Sequence, residues 1–192
     1  LQEVIQRRRS VDTPDEAKVG RTQIQGEDTR TFYLLDDDPA FLDMVDYPPI
    51  WPYVTGLLNE YPHHHASDAI EEIGISDRPM GWHLDGHDDG YRNLGNPIPL
   101  LQLKIGYYLS DMSNPGQGNL CVVPGSHKAC HRPEEADLAS TDLFAGAIEV
   151  CGPPGTAILF HNALWHSAGP RTREQGRRIM LYYAYEHPWM VA

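Results

Sequence analysis

From about residue 61 onward the chain is cut into short apolar or alternating runs, each closed by Gly, Pro or Asn. That punctuation leaves a β-rich sandwich or barrel as the architecture such a chain can build. Leu101-Gln102-Leu103-Lys104-Ile105 alternates with period two, as a strand with one buried face does. Asn119 to Val123 is a second strand candidate, closed by Pro124-Gly125. Ala157-Ile158-Leu159-Phe160 is a third, introduced by the turn Gly152-Pro153-Pro154-Gly155, and the aromatic-rich run Ile179 to Tyr185 is a fourth. Ahead of residue 61 the pattern differs. Leu1 to Arg9 reads as the end of a helix, and residues 10–30 read as a polar loop around Pro14, Gly20 and Gly26. Pro39 to Glu60 reads as two helical pieces, with Asp36, Asp37 and Asp38 placed to cap a helix that has proline in its first turn. The expected organisation is one domain over residues 1–192, with a helical N-terminal part (1–60) and a β core (61–192). The first residue is not Met, and upstream sequence is expected.

The formal net charge of -12 argues against a nucleic-acid partner, which favours a basic face. The one dense basic cluster, Arg7-Arg8-Arg9, reads as a solvated helix end. The apolar runs fall well short of the roughly 20 residues of a membrane span, and no signal-peptide pattern opens the chain. Cys121, Cys130 and Cys151 are odd in number and form no CxxC pair, so neither a disulfide scaffold nor a structural zinc site is expected. A reducing, cytoplasmic compartment fits this cysteine usage. The sequence does not set an oligomeric state.

The stretch richest in chemistry is Gly81-Trp82-His83-Leu84-Asp85-Gly86-His87-Asp88-Asp89-Gly90. On a strand, His83 and Asp85 point to the same face and bring an imidazole and a carboxylate side by side. Two His and one carboxylate on one face of an octahedron form the iron site of non-haem oxygenases, so a distant third ligand is needed. His166, just beyond the Ala157–Phe160 run, is the best candidate. Arg177 follows eleven positions later, and a planar guanidinium there can pair bidentately with a carboxylate. A calcium loop starting at Asp85 fails because Asn96 occupies the place of the bidentate Glu. Phosphate-loop and serine-hydrolase motifs are also missing.

HxD, a distant His and then an Arg resemble the 2-oxoglutarate oxygenases. Tyr108-Leu109-Ser110-Asp111, Gly118 through the Pro124-Gly125-Ser126-His127 turn, and Phe160 through His166 to Arg177-Arg178 resemble the phytanoyl-CoA dioxygenase-like family in particular. The resemblance spans roughly residues 80–187. It implies a double-stranded β-helix core (jelly-roll, cupin-like) with flanking helices, Fe(II) as metal, and 2-oxoglutarate and O2 as cosubstrates. It further implies His83, Asp85 and His166 as iron ligands and Arg177 as the anchor of the distal 2-oxoglutarate carboxylate, with Arg178 second. The reaction the resemblance implies is hydroxylation of an unactivated C–H bond of a small-molecule metabolite with release of succinate and CO2; desaturation, epoxidation and ring formation stay open. The Asp85 carboxylate favours hydroxylation over halogenation, since related halogenases carry a small residue there.

Two positions depart from the family's pattern. Arg171 stands where many members have Asn, and Ala168 where a hydroxyl residue often helps hold the cosubstrate. Gln102 lies on the strand face opposite Leu101, Leu103 and Ile105; either that face lines the barrel and Gln102 contacts the cosubstrate, or it faces solvent. His63-His64-His65 reads as strand or loop, with alternate members able to line a cavity. The rival functions are a cupin-type metalloenzyme that does not use 2-oxoglutarate and a non-catalytic β-barrel binding module.

Overall fold

The computed structural model describes residues 1–5, 22–25, 28–59, 61–77, 80–86, 91, 94–95, 97–129, 144–173 and 177–190. Arg7-Arg8-Arg9, Pro14, Gly20, Gly26, His87 to Gly90, Asn96 and Cys130 lie outside them.

Ten strands form two antiparallel sheets among the described residues. They are β1 (Thr22–Gln25), β2 (Asp28–Phe32), β3 (His63–Ile73), β4 (Met80–His83), β5 (Gln102–Tyr108), β6 (Leu120–Val122), β7 (Ile148–Val150), β8 (Ala157–His161), β9 (His166–Ala168) and β10 (Arg177–Glu186). The large sheet has the order β1-β2-β3-β10-β5-β8 and the small one β4-β9-β6-β7. From β3 to β10 the chain passes back and forth between the two sheets, with β6–β7 the one consecutive pair that stays in a single sheet, giving the jelly-roll expected of the sequence. All four strands read from alternation and turn residues are present.

β1 and β2 depart from expectation. They fall where a polar loop and a helical N-terminal part were expected, and they extend the large sheet beyond β3 through Thr29↔Glu71 and Phe32↔Asp68. Their polar sequence, TQIQ and DTRTF, has no apolar alternation to betray a strand. The helical pieces are α1 (Pro39–Leu42) and α2 (Trp51–Leu58). α1 begins as its sequence requires, with the Asp38 side chain accepting from Ala40 N at 3.0 Å and Pro39 in the first turn.

The two faces of the large sheet have different jobs, and strand parity assigns them. Ile179, Leu181, Tyr183 and Tyr185 of β10 face outward with Leu103 and Ile105 of β5, and they pack under Phe41, Val54 and Leu58 of the helices. Tyr183 and Tyr185 donate to Phe41 O and Val45 O at 2.6 and 2.7 Å, tying the helices to the sheet. Met180 and Tyr182 face inward with Tyr108, and meet Leu120 and Val122 of the small sheet. The functional residues cluster between the two sheets, beside this second core.

Candidate active site

β4 and β9 are neighbours in the small sheet, and His83 pairs directly with His166 across them. Cross-strand partners share a face, so the two rings lie 4.2 Å apart, centroid to centroid. Asp85 follows β4, its backbone N–H donating to Asn162 O at 2.8 Å. This brings one donor atom from each of His83, Asp85 and His166 within 4.8 Å of the others.

Each donor is oriented by a second contact. His83 Nδ1 lies 2.9 Å from Gly81 O and His166 Nδ1 lies 2.8 Å from Leu164 O. A carbonyl can only accept, so both Nδ1 atoms carry the proton and both Nε2 lone pairs are free. Lys104 Nζ donates to Asp85 Oδ1 at 2.8 Å. The other oxygen, Oδ2, is buried with no hydrogen-bond partner and sits 3.3 Å from His166 Nε2. A buried carboxylate oxygen left bare is costly unless something electropositive meets it. The donor set therefore fits a divalent cation.

The neighbouring motifs hold this geometry in place. Ser126 of the Pro-Gly-Ser-His turn accepts from Trp165 N at 2.8 Å, fixing the residue just before His166. Asn162 uses its side-chain oxygen for Leu101 N and its backbone oxygen for Asp85 N, linking β5 to the triad. His127 is a ring neighbour of His161 at 5.3 Å, in keeping with a structural role.

Two cavities meet beside the triad. One of about 80 Å³ is lined by His83, His166, Arg178 and Tyr182; the other, about 260 Å³, is lined by Asp85, Gln102 and Tyr91. Arg30 and Lys104 line both. Gln102 thus faces the interior, but it sits in the larger chamber and not in the cavity that holds His83, His166 and Arg178.

Arg177 is not in either cavity. It shares the outward face with Ile179, its side chain is 46% exposed, and it pairs with Glu71 through Nε at 2.7 Å and through Nη2. Arg178, one residue on, points inward and is 1% exposed. It bonds Glu72 Oε2 at 2.5 Å, Gly118 O at 2.5 Å and Tyr182 Oη at 3.3 Å. Glu72 uses its second oxygen for Arg171 Nη1 at 2.6 Å, so one buried carboxylate bridges two guanidinium groups. Arg171, at the position where the family often has Asn, is thus a support for Arg178. Gly118 leaves room for the pair: its φ is +82°, and a Cβ there would lie 2.7 Å from Arg178 Cδ and 3.0 Å from Arg171 Cγ. Sequence reasoning missed Arg30, Glu72 and the contact of Lys104 with Asp85. Arg178 shares the inward face of Met180 and Tyr182, and no alternation in the sequence of β10 marks that face, because the strand is apolar or aromatic on both.

Burial alone would raise the Asp85 carboxyl; His166, the Lys104 ammonium and His83 outweigh it and hold the group below the ordinary carboxylate range. Burial lowers His166 from 6.5 to about 4 against the opposing pull of Asp85. Burial likewise lowers His64, between Tyr183 and Tyr185, and His161 to about 4. These three stay neutral in the folded, metal-free protein at pH values where they are protonated in the unfolded chain. Unfolding therefore takes up protons between pH 6.5 and 4, and stability falls as pH falls through that window. Denaturant titrations of the metal-free protein should show the loss; a flat stability between pH 6.5 and 4.5 would contradict these assignments.

The fold and the site together define a double-stranded β-helix protein with a His/Asp/His group open to an interior cavity. The model of the phytanoyl-CoA dioxygenase (PhyH) family matches residues 3–179, and the chain belongs to that family. Among curated proteins it is similar to the uncharacterized protein Rv1501 of Mycobacterium tuberculosis, 25% identical over 146 residues, covering 75% of this chain and 50% of that one. The chain spans about half the length of the curated relatives it matches. Among solved structures it is similar to iron-bound EctD from S. alaskensis, with a TM-score of 0.68 at 22% identity, covering 93% of this chain and 63% of that one. It is also similar to HygX from Streptomyces hygroscopicus with nickel, 2-oxoglutarate and hygromycin B bound, with a TM-score of 0.67 at 21% identity, covering 91% and 77%. No helix among the described residues is long and apolar enough to cross a membrane.

Proposed function

We propose that this chain is an Fe(II)- and 2-oxoglutarate-dependent oxygenase that hydroxylates an unactivated C–H bond of a small molecule. The observation that carries this reading is the bare, buried Asp85 Oδ2 facing two imidazoles whose Nε2 atoms are both free. Family membership and the metal and 2-oxoglutarate in the EctD and HygX structures support the same reading. His83, Asp85 and His166 would hold the iron. Bound Fe(II) would supply O2 activation coupled to oxidative decarboxylation of 2-oxoglutarate to succinate and CO2, with one oxygen atom passing to the substrate.

The protein's own share is orientation. The carbonyls of Gly81 and Leu164 fix the imidazole tautomers. Lys104 occupies Asp85 Oδ1 and leaves a single oxygen for the metal. Arg178, not Arg177, is the cosubstrate's anchor in this proposal. Of the two guanidinium groups lining the cavity that holds His83 and His166, it is the fully buried one, and Glu72 and the Gly118 carbonyl fix its orientation, whereas Arg30 is 41% exposed. Tyr182 and Leu120 line the same cavity. Gln102 sits in the larger chamber and would meet the substrate. The cupin-type and binding-module alternatives have no use for a second cation buried beside the triad.

The deciding assay is succinate formation by the purified chain with Fe(II), 2-oxoglutarate and O2, with and without a chelator. Slow uncoupled succinate release that the chelator stops is the expected result. No release, together with no Fe(II)-dependent binding of 2-oxoglutarate, would sink the proposal.

A further inference from the structure

The larger chamber beside the triad holds two carboxylates and two cations, and their pairing says what charge a ligand must bring. Asp68 is buried and accepts from Arg30 Nε at 2.9 Å; Asp85 accepts from Lys104 Nζ at 2.8 Å. A divalent ion at the triad would answer the charge of Asp85. Under the function proposed above, on which this inference rests, the cosubstrate's two carboxylates answer the metal and Arg178. Lys104 is then left with a positive charge that no carboxylate of the chamber balances.

Arg30 is presented for the same kind of ligand. Its bond to Asp68 runs through Nε, so the terminal edge of the fork, with its two Nη groups, remains for a ligand. The guanidinium carbon lies 4.8 Å from the centroid of the Phe32 ring, which holds the fork from a second side. The Arg30 side chain is 41% exposed, and it lines both the 80 Å³ and the 260 Å³ cavities. A guanidinium fixed on two sides and open at its fork is pre-organised for a bidentate oxyanion. A positive surplus inside a partly enclosed chamber attracts the same group.

We propose that the substrate carries an oxyanion group, a carboxylate or a phosphate ester, which the free edge of Arg30 and the ammonium of Lys104 recognise where the two cavities meet. Arg30 is then a specificity-determining residue, and neutral analogues of the substrate are selected against.

Calorimetry on the full chain, loaded anaerobically with Fe(II) and 2-oxoglutarate, tests this with benzoate, phenyl phosphate and benzamide as probes. At least one of the two anions should bind tenfold or more tightly than benzamide, and which one does so separates a carboxylate substrate from a phosphate one. Arg30→Gln should erase that preference, while the outward-facing Arg177→Gln should keep it. If Arg30→Gln is unstable with Asp68 unpaired, Arg30→Gln with Asp68→Asn removes both charges and should show the same loss. Equal binding of benzamide, no binding of either anion, or a preference that survives the loss of Arg30 would each overturn the inference. Binding of 2-oxoglutarate in the loading step is measured first. Its failure counts against the proposed function, whereas normal loading without anion preference counts against this inference alone.

Discussion

Arg178→Gln should raise the 2-oxoglutarate concentration needed for half-maximal succinate formation by about 100-fold, while Arg177→Gln should change it by less than about threefold. The first figure follows from losing a charge-assisted, two-point contact of about 3 kcal/mol in a water-poor cavity, where every 1.4 kcal/mol is a factor of about ten. The second follows from position, because Arg177 shares the outward face with Ile179 and pairs with Glu71. The two variants should also differ in stability. Removing the Arg178 charge leaves buried Glu72 with Arg171 alone, and breaking a buried ion pair costs about 3–5 kcal/mol. Arg178→Gln with Glu72→Gln should recover much of that stability and none of the cosubstrate affinity. This separates a fold defect from a binding defect. The opposite pattern, with Arg177→Gln the crippling change, would return the anchor to Arg177.

That pair of arginines shows where the sequence stops being informative. The triad was legible because His83 and Asp85 lie two positions apart, the spacing of one strand face, and because His166 follows the Ala157–Phe160 run with an Arg eleven positions later, a spacing similar to the family's. Choosing between Arg177 and Arg178 depends on which face of β10 looks inward, and β10 is apolar or aromatic on both faces. Ile179, Leu181, Tyr183 and Tyr185 pack under helices, while Met180 and Tyr182 pack against the opposite sheet. A strand buried on both sides carries no alternation to read. β5 is the counter-example, since Gln102 and Lys104 interrupt Leu101, Leu103 and Ile105. Its parity was visible, and what stayed open was whether the polar face was wet or lined the interior. The contacts that complete the site come from far along the chain. Glu72 belongs to β3 and Arg30 to β2, and no local pattern joins either to residue 178 or 104. The hairpin β1–β2 was unreadable because TQIQ and DTRTF are mostly polar and carry no apolar alternation.

Asp85→Asn should abolish the metal's stabilising effect on the protein while leaving the fold intact. The amide has the shape of the carboxylate, and its oxygen can still accept from Lys104, so the position of the side chain is preserved. What disappears is the charge at Oδ2, the atom that faces His166 Nε2 without a hydrogen-bond partner. A carboxylate is the one anionic donor of the group, and its loss should weaken Fe(II) or Mn(II) binding by at least about 100-fold, at the upper end of what a change to a metal-site partner costs. A ligand present at 100 times its Kd stabilises a protein by about 2.7 kcal/mol, and at its Kd or below by a few tenths. A thermal melt with Mn(II) at that level should therefore shift clearly for the unaltered chain and barely for Asp85→Asn. The metal-free proteins should differ in a second, independent way. The Asp85 carboxyl is held below the usual range, so its charge adds stability at pH values above the unfolded pKa, and that part is lost as pH falls through the folded one. At neutral pH the metal-free Asp85→Asn protein should be the less stable of the two, and the gap should close on acidification. If the carboxylate served only as the partner of Lys104, the acid-dependent gap would remain but the metal shift would survive the substitution. That combination would take Asp85 out of the metal site.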